Sequence, residues 1–230
     1  MAFILVPGFW LGAESWDDVA RHLATAGVDH TALTLPGLER GSPDAGSIRL
    51  IDHVSAVHAA IVAADDDVVV VGHSAAGPIC HAAAAHAIKK VRRVVHVDTW
   101  PLPPGFAINA DMAGSADVIG LPDWSEFEPD DLVDMTAPMR ERLRRESRPQ
   151  PAAIARDPFP TMDELRFSIP TTIVCCEFTS QKISRWIEAE PEQFAELRRL
   201  TDVTFLDLPT GHWPQFTKPD ELAAALLSLA

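Results

Sequence analysis

Short apolar runs alternate with amphipathic stretches along the N-terminal half of the chain. Residues 3–6 are apolar and stop at Pro7-Gly8, which reads as a buried strand followed by a loop, Phe9 to Ala13. Residues 15–26 place Trp16, Val19, Ala20 and Leu23 at helical spacing, and Gly27 suits a C-cap. Residues 30–35 form a second strand ended by Pro36-Gly37. A polar loop over 39–47 leads to a helix over 48–64, with Ile51, Val54, Val57, His58 and Ile61 on helical spacing. After the Asp65-Asp66-Asp67 turn, Val68-Val69-Val70-Val71 reads as a strand buried on both faces. An Ala-rich helix over 75–87 and a Val-rich strand over 92–97, ending in Asp98, complete the first half. Strands alternating with helices predict a parallel sheet covered on both faces, with ligands at the carboxyl ends of the strands.

Residues 101–167 break that rhythm. They are rich in Pro and charge, with isolated Phe106, Trp124, Phe127 and Phe159, and 139–146 reads as a solvated charged helix. A stretch this long is expected to be a lid over the strand ends. Alternation resumes with a strand over 171–176, helices over 181–190 and 191–200, and a last strand over 203–208. The loop Pro209 to Pro214 and an amphipathic helix over 220–229 follow. The expectation is one domain over 1–230, with 101–167 inserted as a lid.

Composition narrows the function classes. The formal net charge is −14 over 230 residues, and such a surface repels phosphate backbones, so no nucleic-acid partner is expected. Cys175 and Cys176 are adjacent in an expected buried strand, and three cysteines cannot all pair. Free thiols in a reducing, cytoplasmic compartment are expected. The start of the chain reads as a strand rather than a signal peptide, and no apolar stretch is long enough to span a bilayer. The scattered His and Cys lack metal-ligand spacing, so neither metal nor cofactor is expected. The partners expected are a small-molecule substrate and, as an open possibility, a second copy of the chain.

One motif carries chemistry by itself. Gly72-His73-Ser74-Ala75-Ala76-Gly77 joins a strand to a helix through a tight turn centred on Ser74, the pattern of a nucleophile elbow, with the second glycine one place late. A plain Ser N-cap is the competing reading.

With Val6-Pro7-Gly8-Phe9-Trp10 before it and Gly211-His212 ahead of a terminal helix, the chain resembles the α/β-hydrolase superfamily over essentially its whole length. Trp16, Pro36-Gly37 and Val97-Asp98 with Pro103-Pro104-Gly105 are similar to the branch of plant methyl-ester esterases and hydroxynitrile lyases. The resemblance implies about six mostly parallel strands flanked by helices, with the lid inserted after the strand ending at Asp98. It implies Ser74 as nucleophile and His212 as general base, with the backbone N–H groups of Phe9 and Ala75 as oxyanion hole. His73 is expected to pack below the elbow. Where the family usually carries its acid, this chain has Thr179. Glu177 is nearby but is expected to point into or behind the sheet, which leaves Asp98 as the expected third member of the triad. Trp10, Trp100, Trp124 and Trp213 are expected to line an apolar pocket. The implied activity is a serine carboxylesterase on a small apolar or aromatic ester. The alternatives are a non-hydrolytic ligand-binding protein or cyclase on the same fold, and a hydroxynitrile lyase. The last is disfavoured by Gly8 where those enzymes carry Thr, and by Trp213 where they carry Lys.

Overall fold

The computed structural model describes residues 1–42, 45–112, 116–189 and 192–229. Glu190 and Pro191, at the ends of two expected helices, lie outside the described residues, as do positions 43–44 of the polar loop and 113–115 of the expected lid. In chain order the elements are β1 (Ala2–Val6), α1 (Asp17–Thr25), β2 (Asp29–Ala32), α2 (Leu50–Ala63), β3 (Val68–His73), α3 (Ala76–Ala85) and β4 (Val91–Val97). The intervening segment contains β5 (Val118–Ile119), α4 (Ala137–Glu146), β6 (Gln150–Pro151) and α5 (Ala152–Arg156). Then come β7 (Thr171–Cys175), α6 (Ser180–Ala189), α7 (Ala195–Arg199), β8 (Val203–Asp207), α8 (Pro214–Thr217) and α9 (Pro219–Leu227).

Six strands form one sheet in the order β2-β1-β3-β4-β7-β8, and every pairing in it is parallel. The valine run of β3 explains its central place. Val68 and Val70 pack into the core shared with α2 and α3, while Val69 and Val71 face the opposite core with Trp16 of the first helical turn and Leu222 of α9. A strand with apolar side chains on both faces can be buried on both, and only a central position does so. The edge strands β2 and β8 accordingly carry only exposed and half-buried residues, none fully buried. β2 is shorter than the expected 30–35 strand: it borders only β1, and the chain turns away toward Pro36.

The inserted segment has two parts with different roles. Ile154, Ala155, Phe159 and Met162 are buried in the core beside α2, so the C-terminal part is structural. The N-terminal part runs over the strand ends, and its short strand β5 pairs antiparallel with β6. Helix α4 is less solvated than its charge pattern suggests. Leu143 is fully buried, and Arg142 bonds Asp18 at 2.6 Å and Glu146 at 2.9 Å while its guanidinium lies over Phe216. The pattern expected a free surface because alternating charge also suits a helix that docks through its arginines. No helix among the described residues is long and apolar enough to cross a membrane.

Candidate active site

The parallel sheet brings the ends of β1, β3, β4, β7 and β8 to one rim. Ser74 follows β3 in a left-handed backbone conformation, φ 51°, and its N–H donates to the Val97 carbonyl at 3.0 Å. The turn is possible only because its neighbours are small. A Cβ on Gly72 would meet the Ala76 carbonyl oxygen at 2.5 Å, and one on Gly77 would meet Thr99 Cγ2 at 2.3 Å. The late glycine is therefore the one the packing requires: Gly77, not residue 76, faces the β4 end. Among the described residues no protein acceptor takes the N–H of Phe9 or Ala75, and both residues line the space beside Ser74. Among the described residues the non-glycine positions with positive φ are Trp10, Ser74, Asp98 and Asp134. Three of them bear directly on this rim, as backbone strain tends to do at working sites.

His212 arrives from the loop after β8. Its Nε2 lies 2.8 Å from Ser74 Oγ, so the hydroxyl can donate to the neutral ring. Its Nδ1–H donates to two carboxylates, Asp98 Oδ2 at 2.8 Å and Glu177 Oε1 at 2.5 Å. Asp98 is where the sequence reading expects it. Its Oδ1 accepts the N–H groups of Cys176 and Glu177, each at 3.0 Å, and its side chain is fully buried. Glu177 corrects the expectation that it points into or behind the sheet. The chain past β7 curls round the Asp98 carboxylate, and that curl turns the Glu177 side chain onto the rim. Thr179 instead caps α6, accepting the Lys182 N–H at 3.1 Å. His73 packs below the elbow: its Nε2–H donates to the His212 carbonyl at 2.6 Å, and Gln215 donates to its Nδ1 at 3.2 Å.

These environments shift the titrations apart. Burial pulls His212 down, but hydrogen bonds and charge from Asp98 and Glu177 outweigh it and push the ring up to about 10. Burial pushes Asp98 up, and its bonds to His212 and its other partners overcome that and hold it below the usual carboxylate value. Burial, with the adjacent His212 charge, drives His73 down to about 3, so it stays neutral. Asp131 is raised to about 6, first by burial and then by the neighbouring Glu177 carboxyl.

The inserted segment is bonded directly to this machinery. The Asp131 carbonyl accepts the His212 N–H at 2.9 Å, and the Val133 carbonyl accepts the Gly211 N–H at 3.1 Å. The buried Gln150 side chain accepts the Trp10 N–H at 3.2 Å, which fixes the loop presenting Phe9. Glu177, Asp131 and Gln150 carry no local motif, and each reaches the site only through the tertiary path of the chain.

Two cavities meet at Ser74, and Ala75, Ile108, Asp131 and His212 line both. The smaller, about 270 Å³, is walled by Phe9, Trp10, Phe127 and Trp213. The larger, about 510 Å³, holds Trp100. Trp124 lines neither. It stands behind Phe127 and Trp213, with ring centroids at 5.6 and 6.2 Å, and carries the Arg144 guanidinium at 5.2 Å. It is a supporting residue, whose ring packs on those of Phe127 and Trp213 rather than on the space itself. Asp98, Glu177 and His212 also offer three ligand atoms within 4.8 Å of one another. A cation there would have to displace the Nδ1 proton that both carboxylates already share.

The sequence profile of the Alpha/beta hydrolase family matches residues 3–225. No curated protein matches the sequence. Among solved structures, an extracellular alpha/beta-hydrolase from a Paenibacillus species is similar at TM-score 0.75 and 18% identity, over 100% of this chain and 99% of that one. The methylesterase MES16 from Arabidopsis is similar at TM-score 0.73 and 16% identity, over 99% and 98%. A pyrethroid hydrolase from Sphingobium faniae JZ-2 is similar at TM-score 0.70 and 20% identity, over 99% and 96%.

Proposed function

The chain belongs to the alpha/beta hydrolase family, and from that premise we propose that it is a serine carboxylesterase acting through an acyl-enzyme on Ser74. The observation that carries the reading is the unbroken relay from Ser74 Oγ to His212 Nε2 and from Nδ1–H to the buried Asp98. His212 takes the hydroxyl proton as Ser74 Oγ attacks the ester carbonyl carbon. The tetrahedral oxyanion is met by the N–H groups of Phe9 and Ala75, donors that need no reorganisation during the reaction. The same imidazolium then gives its proton to the leaving alcohol. Water repeats the sequence on the acyl group and restores Ser74. Asp98 keeps the proton on Nδ1, so that Nε2 faces the serine. An ester bound with its carbonyl at Ser74 sends one arm into each cavity.

The test is covalent labelling. A fluorophosphonate is expected to add one adduct at Ser74, and Ser74→Ala is expected to abolish labelling and lower aryl-ester turnover by at least ~10³-fold. Labelling at another serine, or ester turnover that survives Ser74→Ala, rejects the proposal.

A further inference from the structure

The larger cavity has a composition that a neutral ester does not explain. One wall is aromatic: Trp100 packs against Phe178 and Trp186, with ring centroids 5.8 and 6.1 Å away. The inserted segment brings Glu128, Asp130 and Asp131 to the lining of the same cavity. The acidic groups that orient His212 are already committed to that ring. Asp131 is tied in as well, next to the Glu177 carboxyl and accepting the Glu128 N–H at 3.0 Å, which leaves Glu128 and Asp130 as the carboxylates without a cationic partner. Among the described residues Glu128 and Asp130 make no salt bridge of the kind that pairs Asp18 with Arg142. Lys182 is the sole Lys or Arg among the described residues lining this cavity, and its ammonium stands over the Trp186 ring at 5.1 Å from the centroid. An ammonium of the protein itself is thus seated on the aromatic wall. Carboxylates and π faces lining one cavity create a region of negative potential, and the chain's net charge of −14 extends that field outward.

We propose that the arm of the substrate held in the larger cavity is cationic, a quaternary or protonated amine, so that the natural ester is an ammonium-bearing one. This rests on the esterase reading for the position of the scissile bond, and it adds the charge of the substrate. The aromatic wall takes the apolar faces of an alkylammonium, as it takes Lys182. Glu128 and Asp130 supply counter-charge by Coulomb attraction alone, which suits a quaternary nitrogen that has no N–H to donate. The same wall repels an anionic substrate. The smaller cavity, walled by Phe9, Trp10, Phe127 and Trp213, takes the uncharged arm.

The experiment compares choline with its uncharged isostere 3,3-dimethyl-1-butanol on the full chain. Binding is read by calorimetry and by the fluorescence of Trp100 and Trp186, and turnover by acetylthiocholine against S-(3,3-dimethylbutyl) thioacetate. The cationic member of each pair is expected to be favoured at least ~10-fold at low salt, with the preference shrinking as ionic strength rises. Glu128→Gln with Asp130→Asn is expected to erase most of that preference, whereas Lys182→Met is expected to increase it by removing the resident competitor. Equal binding of the two alcohols, or a preference unmoved by these variants, overturns the inference even if the neutral thioester is hydrolysed well. Selective choline binding by a protein that hydrolyses neither thioester and takes no fluorophosphonate upholds the cationic site and instead sinks the esterase reading.

Discussion

A histidine held near pH 10 by two carboxylates is a poor base at neutral pH, and this makes Glu177 the most informative residue to change. With the ring at about 10, only about 10⁻³ of it is free base at pH 7, so the acid limb of kcat/KM is expected to reach well above neutrality. Glu177→Gln keeps the shape and a hydrogen-bond acceptor but removes one of the two charges. An opposite charge at this range shifts a titration by about 1–3 pH units. Glu177 is 21% exposed, so solvent screening puts the expected change at the low end, about one pH unit. The limb therefore moves down by about that much, and kcat/KM at pH 7 rises roughly tenfold while the alkaline plateau holds. Asp98→Asn acts differently. It removes the buried acceptor that sets the tautomer and is expected to lower the plateau by up to ~10⁴-fold. The assay is kcat/KM for an activated aryl ester from about pH 5 to about pH 10.5, with the fold checked by circular dichroism. If Glu177→Gln leaves the limb in place, the glutamate does not charge-couple to His212. If it abolishes the plateau while Asp98→Asn does not, Glu177 is the orienting acid and the assignment of Asp98 is wrong.

Three further outcomes follow from the same geometry. The sign for His212 is the reverse of a usual carboxylate: its raised folded value contributes stability that is complete below about pH 6.5 and lost as pH rises through about 10, so the melting temperature should fall over that window. Buried His53 is lowered to about 4, first by desolvation, so its contribution is present above about pH 6.5 and lost as pH falls to about 4. His53→Asn should flatten the acid side of the stability curve by about 3 kcal/mol in denaturant titrations, and an unchanged slope would refute that. Phe127→Ala should change relative rates among esters with different small arms because Phe127 walls the smaller cavity, whereas Trp124→Ala should change them less; equal effects of both would remove the distinction.

The alternation of apolar strands and amphipathic helices, and the small residues round Ser74, are local properties of the chain. They were enough to indicate a parallel sheet, the elbow, and a histidine after the last strand. Pattern could do this because a strand buried on both faces must be apolar throughout, and the close approach of strand and helix round Ser74 requires the small residues at Gly72 and Gly77. Asp98 was legible for a related reason: it ends a central strand beside the elbow strand, and parallel register carries it to the same rim. Glu177 was not. Past Cys175 the side chains no longer alternate across a sheet, and their direction depends on the Asp98 carboxylate gathering two backbone N–H groups from another strand end. The acids of the larger cavity, the Gln150 contact beneath Trp10 and the withdrawal of Trp124 likewise depend on how the inserted segment lies over the rim. That segment has little periodicity of its own. Its course is set by long-range hydrogen bonds to the loops it covers, which only the folded chain brings within reach.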